Sequence, residues 1–167
     1  MITLNNILVA TDFTEPAEGA IVYGRALAHR FGATLHVLHV AENVLISTLG
    51  AETYAAVMPT LQEEVETTAR KRLDELLVDS DRSGPVTKGA VMTSSSPALA
   101  IVDFAKDNNI DLIVIGTHGR TGLAHMVMGS VAEKVVRYAP CPVLTVRERE
   151  REFVRADTLV PVAHPSI

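Results

Sequence analysis

The stretch from Ile110 to Arg137 constrains this chain more than any other. It opens with Leu112-Ile113-Val114-Ile115, a short apolar run without alternation, which reads as a strand buried on both faces. The run stops at Gly116. Gly119, Gly122 and Gly129 follow, and Ser130 begins an apolar-periodic segment that reads as a helix to about Tyr138. Strand, glycine-punctuated loop and helix start together make an anion cradle. Glycine lets backbone N–H groups approach a ligand, and the helix N-terminus adds unpaired donors and a positive dipole end.

The rest of the chain repeats the alternation. Ile7-Leu8-Val9-Ala10 is a strand ending at Thr11-Asp12. Thr14 or Glu15 starts a helix with Pro16 in its first turn, and Gly32 closes it as a left-handed cap. Ala33 to Val40 is the second strand. His36 and His39 point to its opposite faces, and each reads as a satisfied strand histidine rather than a metal ligand. Glu42 to Glu52 reads as a loop. A helix runs from about Thr53 to near Asp79, with Leu61, Val65, Ala69, Leu73, Leu76 and Leu77 as its buried stripe. Pro59 either kinks that helix or moves its start. Ser80 to Pro85 is a turn and Val86 to Thr93 a third strand. Ser94-Ser95-Ser96-Pro97 caps a helix that buries Leu99, Ile101, Val102 and Ala105. After the central stretch, Ala139-Pro140-Cys141-Pro142 breaks the chain and Val143 to Val146 is the fifth strand. Five strands alternating with four helices predict an α/β domain, a mostly parallel sheet with helices on both faces.

Composition narrows the function classes. A chain of 167 residues is one domain by length. A net charge of −5 gives no support to a nucleic-acid partner, and no apolar run approaches membrane-spanning length. The lone cysteine, Cys141, excludes an internal disulfide. The N-terminus lacks a signal-like apolar core, so a cytoplasmic location is expected. From Arg147 to Glu152 arginine and glutamate alternate, which reads as an extended, solvated segment. Residues 148–167 form a C-terminal extension, loose or docked on a partner.

In doubly wound sheets ligands bind beyond the carboxyl ends of the strands, where the strand order reverses. If the first and fourth strands are neighbours, Asp12 faces the glycine loop across one crevice. Asp12 then accepts from ribose hydroxyls or faces a phosphate-bound Mg²⁺, or caps the first helix, or does both. The backbone of Val40 is placed to read an adenine edge. The N–H groups around Gly116, Gly119, Gly129 and Ser130 are placed to cradle phosphates. Ser130 with Glu133 also makes a capping-box pattern. Arg120 and Arg137 are candidate charge partners, Arg120 being inside the loop. No Walker loop, dinucleotide fingerprint or Gly-x-Ser-x-Gly elbow is present, and His118, His125 and Cys141 have no metal-ligand spacing.

The spacing of Gly116, Gly119, Gly129 and Ser130 resembles the nucleotide-binding motif of the universal stress protein family. The resemblance extends over residues 1–147, from the opening ILVATDFTEPAEGAIVYGRALA to the closing CPVLTVR. It implies a five-stranded parallel sheet in order 3-2-1-4-5, with the first and fourth strands adjacent. It implies a homodimer, or a higher oligomer, through the last strand (Val143, Leu144, Thr145, Val146). It also implies ATP binding, with AMP or ADP as alternatives and Mg²⁺ on the phosphates. By that resemblance Asp12 contacts the ribose, Val40 the adenine, and Gly116, His118, Gly119, Gly129, Ser130 and Val131 surround the phosphates; Ala10, Thr11 and Arg120 complete the candidate nucleotide-binding residues.

Three functions compete. The first is a nucleotide-binding stress-response regulator, signalling to an unidentified partner through ligand state and dimer contacts. The second is a slow ATP hydrolase or phosphotransferase, for which the sequence offers little machinery beyond one arginine, one aspartate and His118. The third is a ligand-free structural dimer, which the glycine motif disfavours.

Overall fold

The computed structural model describes residues 1–44, 58–78, 84–117 and 128–147. Ile7, Leu8 and Val9 of the first strand (β1, Asn6–Thr11) have no exposed surface at all. A strand this apolar needs a layer on each face, and the chain supplies both. The second strand (β2, Thr34–Ala41) pairs with β1 from Asn6↔Thr34 to Thr11↔His39. The third (β3, Thr87–Thr93) pairs with β2, the fourth (β4, Leu112–Gly116) with β1, and the fifth (β5, Val143–Val146) with β4. Every pairing is parallel, and the sheet order is β3-β2-β1-β4-β5.

Alternation along the strands sorts the core into two clusters. Ile7, Val9, Leu35, Val37 and Val114 face one way, and Ala20, Ile21 and Tyr23 of the first helix (α1, Glu15–Phe31) and Leu73 of the second (α2, Met58–Val78) cover them. Leu8, Leu38, Ile113 and Ile115 face the other way. There they meet Ala98, Ile101 and Ala105 of the third helix (α3, Pro97–Asp107) and Ala132 and Val135 of the fourth (α4, Ser130–Tyr138).

Local signals explain the helix ends. Thr14 is the extended N-cap of α1 and Pro16 lies in its first turn. Gly32 closes the helix at φ 66°, its N–H pointing at the Ala28 and His29 carbonyls. Pro59 does not kink α2. The helix starts at Met58, so the proline sits in the first turn, where its missing N–H costs nothing. Two stripe residues are displaced from the sequence reading. Leu61 and Leu99 are 41% and 52% exposed, and Gln62 is buried beside Leu61 instead. The expected loop after Glu42, the Thr53 helix start, the turn at 80–85 and the tail 148–167 lie wholly or partly outside the described residues.

Candidate functional site

Because all five strands run parallel, their carboxyl ends open on one side of the sheet. β1 and β4 are the neighbours at which the strand order reverses, and a crevice of about 410 Å³ lies there. That size suits a nucleotide-scale ligand. One end has apolar walls: Leu38 and Val40 of β2, with Pro97 and Ile101 of α3. Asp12 stands in the lining, and the other end is formed by Gly116, Thr117, Gly129, Ser130 and Val131.

The geometry around Asp12 is a tight turn. Asp12 Oδ1 accepts the Thr14 N–H at 3.1 Å and also the Thr14 hydroxyl. Thr14, not Asp12, is the N-cap, so the aspartate makes an Asx turn one step ahead of the helix. Thr11 Oγ1 accepts the Phe13 N–H at 3.1 Å. The turn forces Phe13 into the left-handed region at φ 62°, which costs a residue with a Cβ about 1–2 kcal/mol. His39, 4% exposed, donates from Nδ1 to the Thr11 carbonyl at 2.8 Å. His36 is also buried and meets Asn6 Oδ1 at 3.3 Å. Burial, and then the nearby Lys88 charge, hold the His36 imidazole below its ordinary pKa.

The far end is built by backbone. Thr117 is buried, donates its N–H to the Val146 carbonyl at 2.8 Å, and accepts the Gly129 N–H at 2.6 Å. This ties the exit of β4 to β5 and to the start of α4. Gly129 is the N-cap of α4, and Glu133 N–H to Gly129 O, at 3.0 Å, is the first bond of the helix. The N–H groups of Ser130, Val131 and Ala132 precede that bond, no side chain caps them, and all three residues line the crevice. The capping box expected from Ser130 and Glu133 does not form. Ser130 is already helical, and the Glu133 carboxylate takes the exposed Arg137 at 2.8 Å; Arg137 is not among the residues lining the crevice.

The two glycines of this end differ in cause. A Cβ on Gly116 would stand 3.0 Å from the Pro16 carbonyl oxygen, so glycine there lets β4 pass under the first turn of α1. Gly129 has φ −71° and ψ 154°, a conformation open to any residue.

A family model described as the universal stress protein family matches residues 3–147. The chain belongs to the universal stress protein family. A universal stress protein of Methanocaldococcus jannaschii is 32% identical over 146 residues, 87% of this chain and 84% of that relative. The solved universal stress protein UspA from Lactobacillus plantarum superposes with a TM-score of 0.73 at 28% identity, over 88% of this chain and all of the other. The universal stress protein from Archaeoglobus fulgidus in complex with dAMP shares the fold, with a TM-score of 0.53 at 22% identity over 87% of this chain and 99% of that one.

In this universal stress protein, Ala10, Thr11, Asp12, Val40, Gly116, Gly129, Ser130 and Val131 come together on one lining. His118, Gly119 and Arg120 lie outside the described residues. Sequence reasoning missed Ser94, Ser95, Pro97 and Ile101 as lining residues, taking them only as a helix start and core. The signal was present: Ser94 and Ser95 directly follow a parallel strand, on the side where all the strands end. Behind them Glu66 of α2 accepts the Thr93 hydroxyl at 2.6 Å and the Gln62 amide at 3.0 Å. Those bonds hold the Glu66 carboxyl below the usual carboxylate range. Among the described residues, no group of three or more His, Cys, Asp or Glu side chains could hold a metal, and no helix is long and apolar enough to cross a membrane.

Proposed function

We propose that this universal stress protein binds an adenine nucleotide in the switch-point crevice, ATP first, with AMP and ADP as alternatives. It acts as a regulator whose partner contacts follow the ligand state. One observation carries the reading: a single crevice runs from apolar walls, suited to a base, past Asp12 to three uncapped amides at a helix N-terminus, suited to phosphate. In this reading the Val40 backbone meets the adenine edge and the Asp12 carboxylate takes the ribose hydroxyls. The Ser130 and Val131 amides and the Ser130 hydroxyl hold phosphate, with His118, Gly119 and Arg120 joining from the loop. Mg²⁺ enters on the phosphates, where it supplies charge neutralisation. A protein of the same fold in complex with dAMP supports adenine nucleotides as the first probes.

The protein dimerises through β5, which among the described residues is an edge strand and carries Val143, Leu144 and Thr145, all half-buried. Residues 148–167 extend beyond the nucleotide-binding domain, extended or docked on the partner subunit. The test is calorimetric titration of nucleotide-stripped protein with ATP plus Mg²⁺, repeated with ADP and AMP. Binding of about one nucleotide per chain in the micromolar range supports the reading. No heat, together with no shift in melting temperature, refutes it. Sedimentation of the same sample tests the dimer, and a monomer at micromolar concentration refutes that part.

A further inference from the structure

Phe13 poses a question that its neighbours answer. It adopts φ 62°, a conformation that glycine or asparagine reaches more cheaply than an aromatic residue does. The ring must therefore contribute something that a smaller residue would not. It lies between two partners: the His39 ring, with centroids 4.3 Å apart, and the Arg72 guanidinium of α2, 4.7 Å from its centroid. His39 in turn donates to the Thr11 carbonyl, and Thr11 Oγ1 accepts the Phe13 N–H. Both residues flanking Asp12 are thus fixed by one stack. Phe13 itself does not line the crevice. Together with Arg72 it lines a second cavity, of about 380 Å³, on the α2 side, while Asp12 lines the first. His39 borders both.

We propose that the Arg72–Phe13–His39 stack is a positioning device: it holds the Asp12 carboxylate where ribose hydroxyls meet it, and so sets the selectivity of the crevice for hydroxylated sugars. The proposal rests on the ribose role of Asp12 given above. Phe13 and Arg72 are positioning residues, since they reach the ligand only through the turn. Their effect falls on the sugar and not on the base or the phosphates, which are held by β2, α3 and α4.

The test uses the full chain and two probes, ATP and 2′,3′-dideoxy-ATP, each with Mg²⁺, and reads the ratio of their dissociation constants by calorimetry. The wild type should prefer ATP by about tenfold or more, the size of one hydrogen bond to a charged group. Phe13→Gly, which relaxes the backbone and removes the ring, should bring the ratio close to unity by weakening ATP alone. Arg72→Ala should shift it the same way by a smaller factor, and Phe13→Tyr should keep it. A purely structural role would weaken both nucleotides together. A wild-type ratio near unity overturns the ribose role of Asp12, and the proposal with it. A wild-type preference that survives intact in Phe13→Gly overturns the stack alone. If Phe13→Gly does not fold, Arg72→Ala, at an exposed helix position, decides the matter by the same ratio.

Discussion

Gly24→Ala should destabilise the protein although alanine is the better helix former. Gly24 lies inside α1, where glycine costs about 1 kcal/mol relative to alanine. A Cβ built there stands 2.2 Å from Val9 Cγ2 and 3.4 Å from Leu35 Cδ1. Ordinary carbon–carbon contact is about 3.5–4.0 Å, so an overlap of about 1.5 Å must be relieved. Val9 has no easy way to yield. It is branched at Cβ, fully buried, and paired to Val37 on one side and Val114 on the other. Relief must come from an off-rotamer Val9 or from lifting α1 off the sheet, at the upper end of overpacking costs, about 3 kcal/mol. Less the helix-propensity gain, the net loss is about 2 kcal/mol. For a chain of this size that lowers the melting temperature by about 4–8 °C. Val9→Ala removes the obstructing methyl and is itself destabilising. In the double variant the new methyl occupies the vacated space, so it should be more stable than the sum of the singles by about 3 kcal/mol. Urea titrations of the nucleotide-free protein, followed by circular dichroism, give all four free energies. A Gly24→Ala protein as stable as the wild type, or an additive double variant, would refute the packing argument.

Four other outcomes are expected. Gly129→Ala should leave unfolding in urea within about 0.5 kcal/mol of wild type, since its dihedrals suit any residue, while weakening ATP in calorimetry at least tenfold. The depressed His36 pKa means that, as pH falls below about 6.5, the unfolded chain takes up a proton that the folded chain refuses. Stability therefore drops through that window, and urea titrations at pH 7.5 and 5.5 should show a larger drop for wild type than for His36→Gln. Gln62 accepts the Val44 N–H at 2.9 Å and donates to Glu66, so Gln62→Ala should lower the urea midpoint measurably by removing the bonds that tie α2 to the end of β2. Burial, and then the Asp111 charge, push the Cys141 thiol up, so iodoacetamide should modify it far more slowly at pH 7.5 in the folded protein than in urea.

Some elements were legible because their punctuation is chemical. The bounds of β5 and α4 match the sequence reading, since Pro140 and Pro142 stop one element and Gly116 ends the strand before the loop. The adjacency of β1 and β4, on which the crevice depends, followed from the family resemblance and is what the sheet shows. Other features depend on tertiary partners that no local pattern contains. Periodicity put Leu61 inside and ignored Gln62. The glutamine is buried because its amide finds Glu66 and the Glu42 and Val44 backbone at the end of β2. The Ser130–Glu133 pattern failed because Glu133 is also four residues before Arg137, and the helix begins one residue earlier than the capping box requires. Nor does periodicity announce that the Phe13 ring meets Arg72 and His39, which come from two other elements.

The glycine motif, which reads as one signal in sequence, is two in the structure. Gly116 is required by the fold: any side chain there meets the Pro16 carbonyl, whether or not a ligand is bound. A relative of this architecture that binds nothing would still favour glycine at that position, so glycine there says little about nucleotides. Gly129 carries no such demand from its own backbone, yet it stands where the first amides of α4 open onto the crevice. A side chain at that point would compete with whatever those amides bind. On the proposed nucleotide reading, the ligand-dependent content among the motif's described residues lies in Gly129 and the amides of Ser130 and Val131. Substitutions at that end separate binding from folding, and substitutions at Gly116 do not.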